Sequence, residues 1–142
     1  MKQIHILLVE DNEGDIVLTQ ETFKDFKMLN THSVVRDGEE AINYLKKKDE
    51  FSNAITPDFI FLDINLPKID GKEVLSFLKH DEKLCTIPVV MLTTSSSQID
   101  IADAQKNNAN GYLIKPLDVN KFLTVIAKLQ HFAISIVNTN VG

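Results

Sequence analysis

Four short apolar runs in this chain each end on a group suited to phosphate or metal chemistry. Ile4-His5-Ile6-Leu7-Leu8-Val9 leads into Glu10-Asp11, and Phe59-Ile60-Phe61-Leu62 into Asp63. Val89-Val90-Met91-Leu92 leads into Thr93-Thr94, and Tyr112-Leu113-Ile114 into Lys115-Pro116. Runs of this length, rich in branched and aromatic side chains and closed by turn residues, read as strands covered on both faces.

The segments between them have helical period. Residues 13–27 place Ile16, Thr19, Phe23 and Phe26 on one face, and Asn12 with Asp15 resembles a capping pair at its start. Residues 32–36 form a weaker second strand, Asp37-Gly38 a turn, and Ala41, Ile42 and Leu45 mark a second helix. Residues 48–57 read as a loop. Gly71 precedes a helix carrying Val74, Leu75 and Leu78, and Pro88 starts the next strand. Ser97 with Asp100 is a cap for a fourth helix, and Asn110-Gly111 turns into residues 112–114. Asp118 caps a last helix with a stripe at Val119, Phe122, Leu123, Ile126 and Leu129.

Five strands alternating with five helices imply an α/β fold, a doubly wound parallel sheet with helices on both faces. Right-handed crossovers put all strand C-termini on one edge. Glu10, Asp11, Asp63, Thr93 and Lys115 therefore meet there, where ligands of such sheets bind. The second strand brings no such group and is peripheral.

Composition narrows the classes of function. With 142 residues, 44% hydrophobic and 25% charged, the chain suits one globular domain. A net charge of -5 argues against nonspecific nucleic-acid binding. Lys46-Lys47-Lys48 is flanked by Glu39, Glu40, Asp49 and Glu50 and reads as a solvated helix end. The single cysteine, Cys85, forms no intrachain disulfide, and with no signal-peptide pattern or long apolar run the expectation is a cytoplasmic protein without membrane contact. His5, His32, His80 and His131 lack zinc-ligand spacing, and His80 falls near a helix C-terminus.

Three carboxylates held together raise one another's pKa or require a cation. A hard divalent ion such as Mg²⁺, which prefers oxygen ligands, answers that need. With Lys115 beside it, the site suits a phosphoryl group, Asp63 being the nucleophile and Thr93 a hydrogen-bond donor to the bound group. Each residue also has an ordinary use. Glu10 or Asp11 could cap the first helix, Thr93 could simply end a strand, Lys115 could be an exposed lysine and Tyr112 a packed aromatic.

The joint pattern resembles the receiver domain of two-component response regulators. It rests on Val-Glu-Asp-Asn at 9–12, Leu-Asp-Ile-Asn-Leu-Pro at 62–67 with Gly71, Leu-Thr-Thr at 92–94 and Tyr-Leu-Ile-Lys-Pro at 112–116, and covers about residues 3–130. Thr93 follows Asp63 by 30 residues and Lys115 follows Thr93 by 22. The Asp-Ile-Asn-Leu-Pro-Lys form and the long segment before the third strand are similar to the single-domain regulators that pair with phytochromes. The resemblance implies a flavodoxin-like (βα)5 fold with strand order 2-1-3-4-5, expected over residues 1–130; residues 131–142 that remain are an apolar extension too short for an output domain, and none is expected. It implies Asp63 as phosphoacceptor, and Mg²⁺, with Mn²⁺ as a substitute, held by Asp11, Asp63 and the Asn65 carbonyl, with Glu10 acting through a metal-bound water. It implies Thr93 and Tyr112 as a switch pair, Lys115 on the phosphoryl oxygens and a cis Lys115–Pro116 peptide. A sensor histidine kinase, of phytochrome type on the finer match, is the implied partner. Thr94, larger than the residue common there, and Asn65 leave the phosphoryl lifetime open.

Two other functions compete. A Mg²⁺-dependent phosphatase with an aspartyl nucleophile needs an acid–base carboxylate two residues on, and Asn65 occupies that position. A binding module that has lost phosphorylation is disfavoured by the complete residue set. The tail segment Phe132-Ala133-Ile134-Ser135-Ile136-Val137 could fold back on its own domain, but the expectation is that it joins the fourth helix, fifth strand and fifth helix in a symmetric homodimer.

Overall fold

The computed structural model describes residues 4–25, 30–94 and 98–129. Its elements run β1 (Ile4–Val9), α1 (Glu13–Asp25), β2 (Asn30–Val35), α2 (Gly38–Leu45), β3 (Phe59–Asp63), α3 (Gly71–His80), β4 (Val89–Thr93), α4 (Gln98–Lys106), β5 (Gly111–Ile114) and α5 (Val119–Lys128). The strands form one parallel sheet in the order β2-β1-β3-β4-β5, the doubly wound arrangement expected.

Alternation along the strands divides the interior in two. Ile4, Ile6 and Leu8 join Phe59, Phe61, Val90 and Leu92 against Ile16 and Phe23 of α1 and Phe122, Val125 and Leu129. Phe23, Phe61 and Phe122 form an aromatic triangle with centroids 5.7–5.8 Å apart. Leu7, Val9, Ile60, Leu62 and Met91 point the other way, onto Ala41, Val74, Leu75, Leu78 and Ala104 from α2, α3 and α4.

Side-chain caps set several helix starts. Asp37 Oδ1 accepts from Glu40 N–H, Asp70 Oδ1 from Glu73 N–H and Asp118 Oδ1 from Lys121 N–H. The Ser97 cap and the 131–142 extension lie outside the described residues.

Three expectations need correction. β2 begins at Asn30 rather than His32 and ends at Val35 rather than Arg36, because Asn30 and Thr31 pair with Ile4 and His5. Residues 48–57 are not all loop: Asp49–Phe51 is a 3-10 turn, and the Phe51 ring packs 5.6 Å from Tyr44. On α5, Leu123 is 45% exposed while Val125 is buried. Phe122, Val125 and Leu129, spaced three and four apart, define the buried arc, which leaves Leu123 about a third of a turn away.

Candidate phosphoryl-transfer site

In the order β2-β1-β3 the strand following β1 lies on one side of it and β3 on the other, so the winding of the sheet reverses at β1 and a crevice opens at the C-terminal ends of β1 and β3. Glu10 follows β1, Asp63 closes β3, Thr93 closes β4 and Lys115 follows β5. One oxygen each from Glu10, Asp11 and Asp63 lies within 4.8 Å of the others. Glu10 and Asp63 are buried and Asp11 is exposed, so the cluster has a deep floor and an open mouth.

Backbone contacts hold the floor in place. Glu10 N–H donates to Val35 O at 3.0 Å and Ile64 N–H to Leu92 O at 3.1 Å. Asn65 N–H donates to Asp63 Oδ1 at 3.2 Å, orienting the carboxylate. Lys115 N–H donates to Thr93 O at 2.7 Å, tying the β4 and β5 ends, and the Lys115–Pro116 peptide is cis.

Charges explain the electrostatics. Burial is the main cause that pushes the Glu10 carboxyl up to about 7; hydrogen bonding with Asp63 adds to it and Lys115 opposes it. Burial alone would lower Lys115, but its close pairing with the Glu10 and Asp15 carboxylates and the charge of Asp63 more than offset it, and the ammonium is held above its usual range. Its Nζ lies 2.5 Å from Glu10 Oε1, 2.9 Å from Asp15 Oδ2 and 3.3 Å from Asp63 Oδ2. Glu10 Oε1 is nonetheless a buried oxygen with no aligned hydrogen bond.

Three clustered carboxylates, two of them buried and one with a buried oxygen that is ion-paired but accepts no aligned hydrogen bond, are a donor set that fits a hard divalent cation. Thr93 is 1% exposed and faces the same edge. Tyr112 is partly buried on β5, in register with Met91 and packed on the core that contains it. Asn65 and Thr94 are exposed at the rim.

The sequence reading missed Asp15 at this site. In the sequence Asp15 reads as half of a capping pair with Asn12. Asn12 Oδ1 does accept from Asp15 N–H at 2.9 Å, but the Asn12 N–H is directed at Glu10 Oε2, 3.3 Å away. The Asp15 carboxylate turns instead onto Lys115. Nothing in the sequence distinguishes those two uses.

The chain is similar to known response regulators. The probable methanogenesis regulatory protein FilR2 of Methanothrix harundinacea is 39% identical over 127 residues, covering 89% of this chain and 81% of that protein. The response regulator Rcp1 of Synechocystis is 37% identical, covering 89% and 86%. The crystal structure of the phosphorylated cyanobacterial phytochrome response regulator RcpA superposes with a TM-score of 0.81 at 39% identity, covering 94% of this chain and 96% of that one. The Mn²⁺-bound form of Rcp1 gives 0.78 at 38% identity, with 89% and 92% covered. Residues 6–127 match the model of the response regulator receiver domain, and the chain belongs to that family.

Proposed function

We propose that this receiver domain accepts a phosphoryl group on Asp63 from a histidine kinase and changes its protein contacts in response. The observation that carries the reading is the convergence of Glu10, Asp11 and Asp63 within 4.8 Å beside the Lys115 ammonium. An Asp63 oxygen attacks phosphorus, the donor's phosphorus–nitrogen bond breaks, and the leaving imidazole takes a proton from solvent. Lys115 offsets charge on the phosphoryl oxygens, and the Thr93 hydroxyl donates to one of them.

Asp11, Asp63 and the Asn65 carbonyl would hold Mg²⁺, with Glu10 acting through water. When bound, the ion neutralises anionic charge and orients the phosphoryl group. Mn²⁺ in the Rcp1 structure supports a divalent ion here.

Engagement of Thr93 by the phosphoryl group favours an inward Tyr112, and that differential contact is what shifts the population. A kinase of phytochrome type is the partner we favour, on the likeness to RcpA. The output surface is α4, β5 and α5, where Ile99, Ile114 and Leu123 are exposed, and a symmetric homodimer through it is the proposed assembly. Among the described residues no helix is long and apolar enough to cross a membrane. A cytoplasmic site of action and the boundaries 1–130 and 131–142 remain part of this proposal.

Intact-mass measurement after incubation with acetyl phosphate tests the reading. One phosphoryl group should add in the presence of Mg²⁺ and be lost with a chelator or in Asp63→Asn. Equal labelling of wild type and variant would remove Asp63 from the account.

A further inference from the structure

Lys115 has more anionic partners than the phosphoryl reaction needs. An ammonium has three hydrogens to donate. In this structure its Nζ faces Glu10, Asp15 and Asp63 at 2.5, 2.9 and 3.3 Å. Two of these contacts are aligned hydrogen bonds, to Asp15 and Asp63, and the third is a close ion pair with Glu10, so an incoming phosphoryl oxygen competes with carboxylates already on the ammonium.

The three carboxylates are not equally free to let go. The Glu10 side chain is 0% exposed and belongs to the carboxylate cluster, and the Asp63 side chain is 7% exposed and is the attacking group. The Asp15 side chain is 30% exposed, lies outside the cluster and is rehydrated most easily when its partner leaves. Its position is fixed by the first turn of α1, where Asp15 N–H is bonded to Asn12 Oδ1. Because the Asn12 N–H is directed at Glu10 Oε2, the Asp15 carboxylate is free to reach across to Lys115.

We propose that Asp15 is an exchangeable counter-ion for Lys115: it holds the ammonium at the site in the unphosphorylated state and yields it to the phosphoryl group. This inference rests on Asp63 being the phosphoacceptor. Asp15 is a positioning residue that acts through Lys115. Part of the apparent affinity for a phosphoryl group is given up in breaking the Lys115–Asp15 pair, and removing the charge at position 15 returns it.

Beryllofluoride, an unreactive stand-in for the phosphoryl group, is the probe. It is titrated by calorimetry in Mg²⁺ against the wild-type protein, Asp15→Asn and Asp15→Ser. Both variants should bind about two- to five-fold more tightly, the range of a partly exposed ion pair. The ¹³C resonance of the Asp15 carboxyl should also shift at saturation, and Lys115→Met should move it in the same direction without ligand. A structural role for Asp15 would not produce that shift. Unchanged or weaker binding in both variants, or an Asp15 resonance that does not move at saturation, overturns the exchange. Failure of the phosphoacceptor reading looks different: beryllofluoride would then bind Asp63→Asn as well as wild type, or neither.

Discussion

Gly71 lies directly against the backbone carbonyl of Asp63: a Cβ added at position 71 would sit 2.1 Å from that oxygen and 2.8 Å from Ile64 Cα. Gly71 N–H also donates to Ile64 O at 2.8 Å, so the first turn of α3 and the end of β3 form one unit. The contact is to backbone, which cannot rotate aside. Gly71→Ala should cost about 1–3 kcal/mol in a urea melt and displace the Asp63 carboxylate. Phosphorylation by a small donor should slow in the fraction that remains folded. A variant with wild-type midpoint and labelling rate would show that the loop relaxes freely.

The aromatic triangle is the main anchor of α1 and α5 on the sheet. Phe23, Phe61 and Phe122 are each no more than 1% exposed. Phe122→Ala should lower unfolding free energy by about 3–5 kcal/mol, read as a drop in urea midpoint with little change in slope. A loss below about 1 kcal/mol would mean that the cavity collapses, as the size of the cost depends on relaxation.

Two histidines give the fold a pH dependence. Burial lowers His5 from its usual 6.5, with Asp58 opposing; burial lowers His32 as well. The His5 ring is enclosed by Thr31 Oγ1 at 2.7 Å and by Ser33 Oγ and Tyr44 OH at 3.0 Å. A histidine whose folded pKa is depressed contributes stability that is present above 6.5 and lost as pH falls through 6.5 toward the folded value. Glu10 acts oppositely: raised from 4.5 to about 7, it makes the folded state less stable as pH climbs across that interval. Comparing wild type with His5→Gln/His32→Gln isolates the histidine part. The stability difference in favour of wild type should shrink between pH 7.5 and 5.5, and a constant difference would contradict the assignment.

The proposed Thr93–Tyr112 switch has its own signature. Thr93→Ala should still accept phosphate on Asp63, because the hydroxyl is neither nucleophile nor metal ligand. It should lose most of the phosphorylation-dependent change in Tyr112 fluorescence or ring NMR shifts. A full wild-type response in Thr93→Ala would uncouple Thr93 from the output.

How much of this was legible in the sequence depended on burial. β1, β3 and β4 are buried along their whole length, so their apolar runs stand out and their terminal residues fall on the right edge. β2 is an edge strand whose sequence Asn-Thr-His-Ser-Val-Val is mostly polar, and its first two residues gave no signal because pairing, not hydrophobicity, places them. Leu123 misled because a leucine next to a buried Phe122 extends an apparent stripe, and only the packing of α5 on the sheet decides which arc is covered. Asp15 was illegible for a different reason. A side chain at the third position of a helix can close a cap or reach outward, and Glu10, five residues earlier, decides which by facing the Asn12 N–H.

The central claim is a covalent bond on one side chain, and chemical trapping reads it directly. The wild-type protein is phosphorylated with acetyl phosphate and Mg²⁺ and then reduced with borohydride, which converts an aspartyl phosphate to homoserine. Peptide mass spectrometry then locates the homoserine. Homoserine is expected at position 63 alone, dependent on Mg²⁺ and absent without the donor. Homoserine at Asp11 or Asp15, or none in protein that carries phosphate, would contradict it.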